Sequence, residues 1–262
     1  MASSCAPVIA SQLAKGNAPL IGYLTVGYPD VDTTVRAGKT LIDAGFSILE
    51  LGLPYSDPGM DGTVIQATGA AALAAGTRTS HVFQAVEQLA ATGAPIVVMS
   101  YYNPIFRYGE QEFARDLANA GGAGTITPDL IPDEAASWIA ACDQYDLDRI
   151  FLVAPSSTDA RLRSTVAACR GFVYAASTMG VTGERAAVDT TAKTLVARTR
   201  AAGAQHVCVG LGVSTAAQAR EIGAFADGVI VGSALLRALG DGVSHLARLG
   251  EELVSGAQGA RA

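Results

Sequence analysis

Three carboxylates stand close together in the stretch Ile48-Leu49-Glu50-Leu51-Gly52-Leu53-Pro54-Tyr55-Ser56-Asp57-Pro58-Gly59-Met60-Asp61-Gly62. Glu50 lies inside an apolar run, where a period of two puts it on one face with Ile48 and Gly52. A lone carboxylate in a buried strand costs on the order of several kcal/mol unless it is partnered or used. It either pairs with an inward Tyr or Asn, or serves as a general acid/base whose proton affinity a dry surrounding raises. Asp57 and Asp61 follow in a loop rich in Pro and Gly. Both can be read as turn and cap residues, Asp57 before Pro58 and Asp61 at the start of the next helix. Asp61 has a second reading. A loop that returns eleven residues after Glu50 hangs another carboxylate over the same strand end. One fixed and one loop-borne carboxylate can move two protons on a bound substrate.

A second group of residues is built from glycines: Gly180-Val181-Thr182-Gly183, Gly210-Leu211-Gly212 and Gly232-Ser233. Each stands at or just beyond the end of an apolar run. Glycines there let backbone N–H groups approach an anion closely, and a following helix N-terminus adds its dipole. The spacing predicts a phosphate cradle. Other chemistries find no residues. Lysine occurs only at 15, 39 and 193, all in helical patterns, so a Schiff-base nucleophile is missing. Histidines 81, 206 and 245 form no cluster with carboxylates, and no metal site is expected. No serine-elbow pattern occurs. Metal-free acid–base chemistry on a small phosphorylated substrate remains.

The elements that must hold these residues are eight short apolar runs: 20–26, 48–54, 95–102, 124–130, 149–155, 171–177, 206–212 and 228–234. Near-continuous apolarity, as in Ile150-Phe151-Leu152-Val153-Ala154, marks strands buried on both faces of a parallel sheet. Amphipathic stretches separate them. Asp32, Asp133, Asp159 and Ser214-Thr215 offer helix starts, and Gly45, Gly93, Gly121 and Gly203 offer stops. Eight β-α alternations predict an α/β protein made of a single (β/α)8 barrel domain over residues 1–262. An open doubly wound sheet would want a Gly-rich first turn, which Gly22 and Gly27 do not make. A helix at 8–15 is expected to close the bottom, and the second helix looks doubled, 62–75 then 81–92. Chemistry in such barrels belongs at the C-terminal strand ends, where Glu50, Asp61 and the glycines fall.

Composition agrees with this. The chain has 262 residues, a net charge of −6 and no run of Lys or Arg, so neither a nucleic acid nor an anionic membrane is an expected partner. No apolar stretch reaches membrane-spanning length, and the start lacks a signal-peptide pattern, which points to the cytoplasm. Cys5, Cys142, Cys169 and Cys208 have no CxxC spacing and read as small buried hydrophobes.

These motifs together resemble the tryptophan synthase α subunit family. The 49–58 stretch with Asp61-Gly62 and Ile65-Gln66 carries the resemblance most specifically. Tyr101-Tyr102-Asn103-Pro104, Pro128-Asp129-Leu130, Phe151-Leu152-Val153-Ala154-Pro155, Gly180-Val181-Thr182-Gly183 and Asp227-Gly228-Val229-Ile230-Val231-Gly232-Ser233 continue it in order. The resemblance implies cofactor-free cleavage of indole-3-glycerol phosphate to indole and glyceraldehyde 3-phosphate. Glu50 would move protons at the glycerol hydroxyl and at indole C3, and Asp61 would hold the indole N–H. Tyr23, Tyr101, Tyr174, Thr182 and Leu211 would surround the substrate, and Gly183, Gly212, Gly232 and Ser233 would hold its phosphate. A β subunit would be the partner, in an α2β2 heterotetramer, docking at Asp57, Pro58, Asp129 and Pro132. Pyridoxal phosphate would belong to that partner alone.

Thr178-Met179, Thr63 and Leu211 depart from residues common in the family, which bears on loop closure and pocket shape. Three other readings stay open. A non-catalytic regulatory barrel is opposed by the intact carboxylates. A sugar-phosphate isomerase or epimerase would want a Lys, His or metal cluster at a strand end. A stand-alone indole-releasing lyase would differ only in needing no partner.

Overall fold

The computed structural model describes residues 4–176, 190–210 and 212–261. The described strands are β1 (Leu20–Thr25), β2 (Ile48–Gly52), β3 (Ile96–Met99), β4 (Gly124–Ile126), β5 (Asp148–Ile150), β6 (Leu152–Val153), β7 (Val173–Ala176), β8 (Val207–Gly210) and β9 (Gly228–Val231). They form one parallel sheet in the order β5-β4-β3-β2-β1-β9-β8-β7-β6. The two ends of that order are consecutive in the chain, with only Phe151 between them. The fifth apolar run enters the sheet twice: its first half pairs with β4 and its second half with β7. The split is how the sheet curls back on itself as a (β/α)8 barrel, since one strand must bond to both ends of the ladder.

Alternation along the strands builds two cores. Outward residues such as Leu24, Leu49, Leu51, Val98, Phe151, Val209 and Val231 pack under the helices. Inward residues Ile21, Ile48, Val97, Ile126, Ile150, Phe172, Cys208 and Ile230 fill the lumen together with Cys5 and Ile9. The last two belong to the N-terminal helix Cys5–Ala14, which plugs the bottom as expected. Asp148, fully buried at the start of β5, fixes that plug by accepting from the Cys5 N–H at 2.8 Å and the Ser4 hydroxyl at 3.0 Å. The doubled second helix is Thr63–Ala74 followed by Thr79–Ala90.

Helix ends follow the expected chemistry with shifts of one or two residues. Asp30, not Asp32, caps Val31–Ala44, accepting from the Thr33 N–H at 2.6 Å. Asp32 lies one residue inside, where its charge suits the positive end of the dipole. Asp133 sits in a 3-10 turn, Pro132–Glu134, ahead of Ala136–Gln144. Thr158 rather than Asp159 caps Asp159–Ala168. Thr215 caps Ala216–Gly223 in a reciprocal box with Gln218. Gly45 takes φ +113°, the left-handed conformation that ends a helix at low cost.

Candidate active site

Above the apolar lumen layer the inward positions change character. Tyr23 on β1 pairs in register with Glu50 on β2, and Tyr174 on β7 pairs with Cys208 on β8. Glu50 is 1 % exposed, and its Oε2 has no hydrogen-bond partner. Burial, reinforced by the neighbouring Asp61 carboxyl, pushes it up to about 8 from an ordinary 4.5. Asp61 is 7 % exposed although it stands on a loop. Burial pushes it up to about 6, against a hydrogen bond from the Tyr101 phenol that lowers it. The structure therefore brings the two carboxylates together, as the spacing suggested. The cap reading of Asp61 fails: Gly62 is the N-cap of Thr63–Ala74, with no side-chain cap bond.

The loop bearing Asp61 is tied down at three points. The Met60 N–H donates to the Tyr101 phenol oxygen at 2.9 Å, and the same phenol bonds the Asp61 carboxyl. Gln66, one turn into the following helix, donates from Nε2 to the Asp61 carbonyl at 2.7 Å. Tyr55 stacks on Tyr101 with ring centres 5.3 Å apart. Asp57 remains exposed on the outside of this loop, bonded by the Ser56 hydroxyl at 2.6 Å.

Two tyrosines cross the mouth and rest on glycines. A Cβ at Gly52 would lie 2.1 Å from the Tyr23 hydroxyl, and one at Gly210 would lie 2.5 Å from the Tyr174 hydroxyl. Only glycine leaves the phenols room there. Burial raises both phenols above their ordinary value, so both stay protonated.

On the far side of the mouth, β8 and β9 run side by side to the register Gly210↔Ile230, and Gly212 and Gly232 each follow two residues further on. Gly212 adopts φ +67°, and Gly232 is the N-cap of the helix Ser233–Gly240, with Ser233 buried as its first residue. Free N–H groups at that helix start suit an anion. Thr182, Gly183, Leu211 and the Thr178-Met179 pair lie outside the described residues.

The remaining expected positions border the same opening. Asp129 is exposed and accepts from the Tyr102 N–H at 2.9 Å, fixing the start of the helix Tyr102–Tyr108. Pro132 begins the 3-10 turn beyond β4. Pro58 is half-buried. The exposed large apolar side chains among the described residues, Met60, Leu73, Phe106, Tyr108 and Ile131, all follow β2, β3 or β4. Among the described residues no group of three or more His, Cys, Asp or Glu could hold a metal ion. No described helix is long and apolar enough to cross a membrane. All four cysteines are free, three of them buried.

Sequence reading missed Gln66 as a tether of the Asp61 carbonyl, and it missed Thr25 and Thr68, whose hydroxyls lie 2.8 Å apart beneath Tyr23. Thr25 stands two residues from Tyr23, the spacing that puts both on one strand face, which was the available signal. Nothing local links Thr68 to it.

Comparison with known proteins agrees with this arrangement. The family described as tryptophan synthase alpha chain matches residues 9–258. The tryptophan synthase alpha chain of Mycobacterium marinum is 59 % identical over 255 residues, covering 97 % of this chain and 95 % of that protein. The Mycobacterium tuberculosis alpha chain is 56 % identical, covering 97 % and 94 %. A solved structure of M. tuberculosis tryptophan synthase superposes with a TM-score of 0.94 at 54 % identity, covering 98 % of this chain and 99 % of that one. A chain from the tryptophan synthase α2β2 complex of Pyrococcus furiosus superposes with a TM-score of 0.85 at 34 % identity, covering 92 % and 98 %. The chain belongs to the tryptophan synthase alpha chain family.

Proposed function

We propose that this chain, acting as one barrel domain, cleaves indole-3-glycerol phosphate to indole and glyceraldehyde 3-phosphate, with Glu50 and Asp61 as the catalytic pair. One observation carries the reading: two carboxyl groups buried side by side in the mouth, pushed apart to about 8 and about 6. A pair separated in this way assigns its own roles. At neutral pH Glu50 holds its proton and Asp61 is ionised. Asp61 then accepts the indole N–H and supports positive charge on the ring as Glu50 delivers its proton to indole C3. The resulting Glu50 carboxylate takes the proton of the glycerol hydroxyl next to the breaking bond. As that C–C bond breaks, its electron pair returns to the indole ring and the alcohol carbon becomes the aldehyde. One proton leaves Glu50 and one returns, so the enzyme ends as it began and the step needs no cofactor.

The phosphate is held by backbone N–H groups at Gly212, Gly232 and Ser233, joined by Gly183. Tyr23, Tyr101, Tyr174, Thr182 and Leu211 line the rest of the pocket. The partner is a tryptophan synthase β subunit in an α2β2 assembly, docking on the loops that carry Asp57, Pro58, Asp129 and Pro132. Met60 and Ile131, large apolar side chains left exposed beside Pro58 and Pro132 in the chain, support this, because exposed apolar surface next to a docking position is what a partner covers. Pyridoxal phosphate belongs to that partner, and the chain works in the cytoplasm. Incubating the purified chain with indole-3-glycerol phosphate and assaying both products tests the reading. Equimolar indole and glyceraldehyde 3-phosphate are expected; an aldehyde without indole, or no turnover, would overturn it.

A further inference from the structure

The Tyr23 hydroxyl is not needed to fill space. The ring alone packs against Ile65 and Leu236, and the oxygen reaches beyond it over Gly52. That oxygen ends a chain of hydroxyls. Thr25 Oγ1 lies 3.5 Å from it as a donor, and Thr68 Oγ1 lies 2.8 Å from Thr25 Oγ1. Thr68 sits on the helix Thr63–Ala74, which directly follows the Asp61 loop, and its hydroxyl also reaches the Ile65 carbonyl at 3.0 Å. Tyr23, Thr25 and Thr68 are all buried, so water does not compete for these bonds.

We propose that the Thr68–Thr25–Tyr23 hydroxyl chain is a positioning device that sets the proton affinity of the Glu50–Asp61 pair. This rests on the function proposed above. The chain has two polarities. With Thr68 donating to the Ile65 carbonyl, Thr25 donates to Thr68 and gives no proton to the phenol oxygen. With Thr68 donating to Thr25, Thr25 donates to the phenol oxygen and frees the phenolic proton to face the carboxylates. The second polarity stabilises their ionised forms. The seat of the helix behind the Asp61 loop is thereby linked to the acid–base pair without any residue of that helix touching substrate. The ionisable groups that bear on the phenol are Asp61 from the loop, Glu50 on β2 and Tyr101 beyond β3, with Tyr174 across the mouth on β7.

The test uses the full chain with Tyr23→Phe, Thr25→Val and Thr25→Ser. Two readouts are taken: the pH profile of kcat/KM for indole formation, and carbon-13 titration of the Glu50 and Asp61 carboxyl groups in substrate-free protein. Tyr23→Phe keeps the ring and is expected to move the acid limb and the carboxyl titration upward by roughly 0.5–1 pH unit. It lowers kcat more than it raises KM. Thr25→Val moves both readouts the same way by less, and Thr25→Ser retains the wild-type positions. Unmoved titrations in Tyr23→Phe and Thr25→Val, or a Thr25→Ser variant indistinguishable from Thr25→Val, would overturn the proposal. If the wild-type chain forms no indole, the functional reading fails, and the carboxyl titration alone still decides the hydroxyl chain.

Discussion

Glu50 and Asp61 exchange stability for reactivity through their burial. Glu50 moves from an ordinary 4.5 up to about 8 on folding, so its contribution is fully present below pH 4.5 and is lost as pH rises through 8. Asp61 behaves alike between its ordinary 3.8 and about 6. Glu50→Gln removes the penalty of ionising a buried acid. It is expected to be more stable than wild type at pH 8.5, by on the order of 2–4 kcal/mol, with little difference at pH 4.5. Denaturant unfolding at the two pH values checks this, and an equal difference at both would refute the pKa assignment. Tyr101 offers a second check. Its phenol both accepts from the Met60 N–H and lowers Asp61 by a hydrogen bond. Tyr101→Phe loosens the loop and raises Asp61. Indole formation should fall by roughly 10–100-fold, since a hydrogen bond to a charged group is worth about 1.5–3 kcal/mol. Steady-state kinetics should show the acid limb moving upward at the same time.

Strands and helices carry the site to its place, and much of that was legible in the sequence. Runs such as 150–154 read as strands because a strand buried on both faces has nowhere to put a polar residue. Glu50 stood out for the same reason. The split of the fifth run into β5 and β6 was hidden, because closure is a property of the whole ladder rather than of residues 148–153. Asp30 and Asp32 could not be told apart as caps, since both precede the same apolar pattern. The Thr68–Thr25 contact joins residues 43 apart and leaves no local pattern at all. Two predictions belong to this scale. Gly212→Val forces a branched side chain into φ +67° and blocks backbone approach. It should weaken glycerol phosphate binding far more than Ser233→Ala, which removes one neutral bond worth roughly 0.5–1.5 kcal/mol; calorimetry measures both. Asp148→Ala leaves the Cys5 N–H and the Ser4 hydroxyl without their buried acceptor, while Arg170 keeps its pair with Asp146. The plug should loosen at a cost of roughly 1.5–3 kcal/mol in unfolding free energy, the worth of hydrogen bonds to a charged group. The KM for indole formation should stay near wild type, because the plug lies at the opposite end of the barrel.

The molecule as a whole separates its tasks by position. The lower lumen is apolar and closed by a helix, while the upper lumen holds two carboxyl groups and two phenols. The segments that follow β2, β3 and β4 hold the large apolar side chains left exposed among the described residues, Met60, Leu73, Phe106, Tyr108 and Ile131. Indole is small and apolar, so an enzyme that releases it gains from a neighbour that takes it directly. A β subunit that binds the closed Asp61 loop more tightly than the open one would shift the loop population and accelerate cleavage. Mixing the chain with the β subunit of its own organism should give a co-eluting complex and faster indole formation. Whether the buried pair performs the cleavage is decided by indole formation in wild type and Glu50→Gln, each with and without that β subunit. Glu50→Gln should lose roughly 10²–10⁴-fold under both conditions, with glycerol phosphate binding intact. A Glu50→Gln variant that releases indole at near the wild-type rate would remove Glu50 from the chemistry.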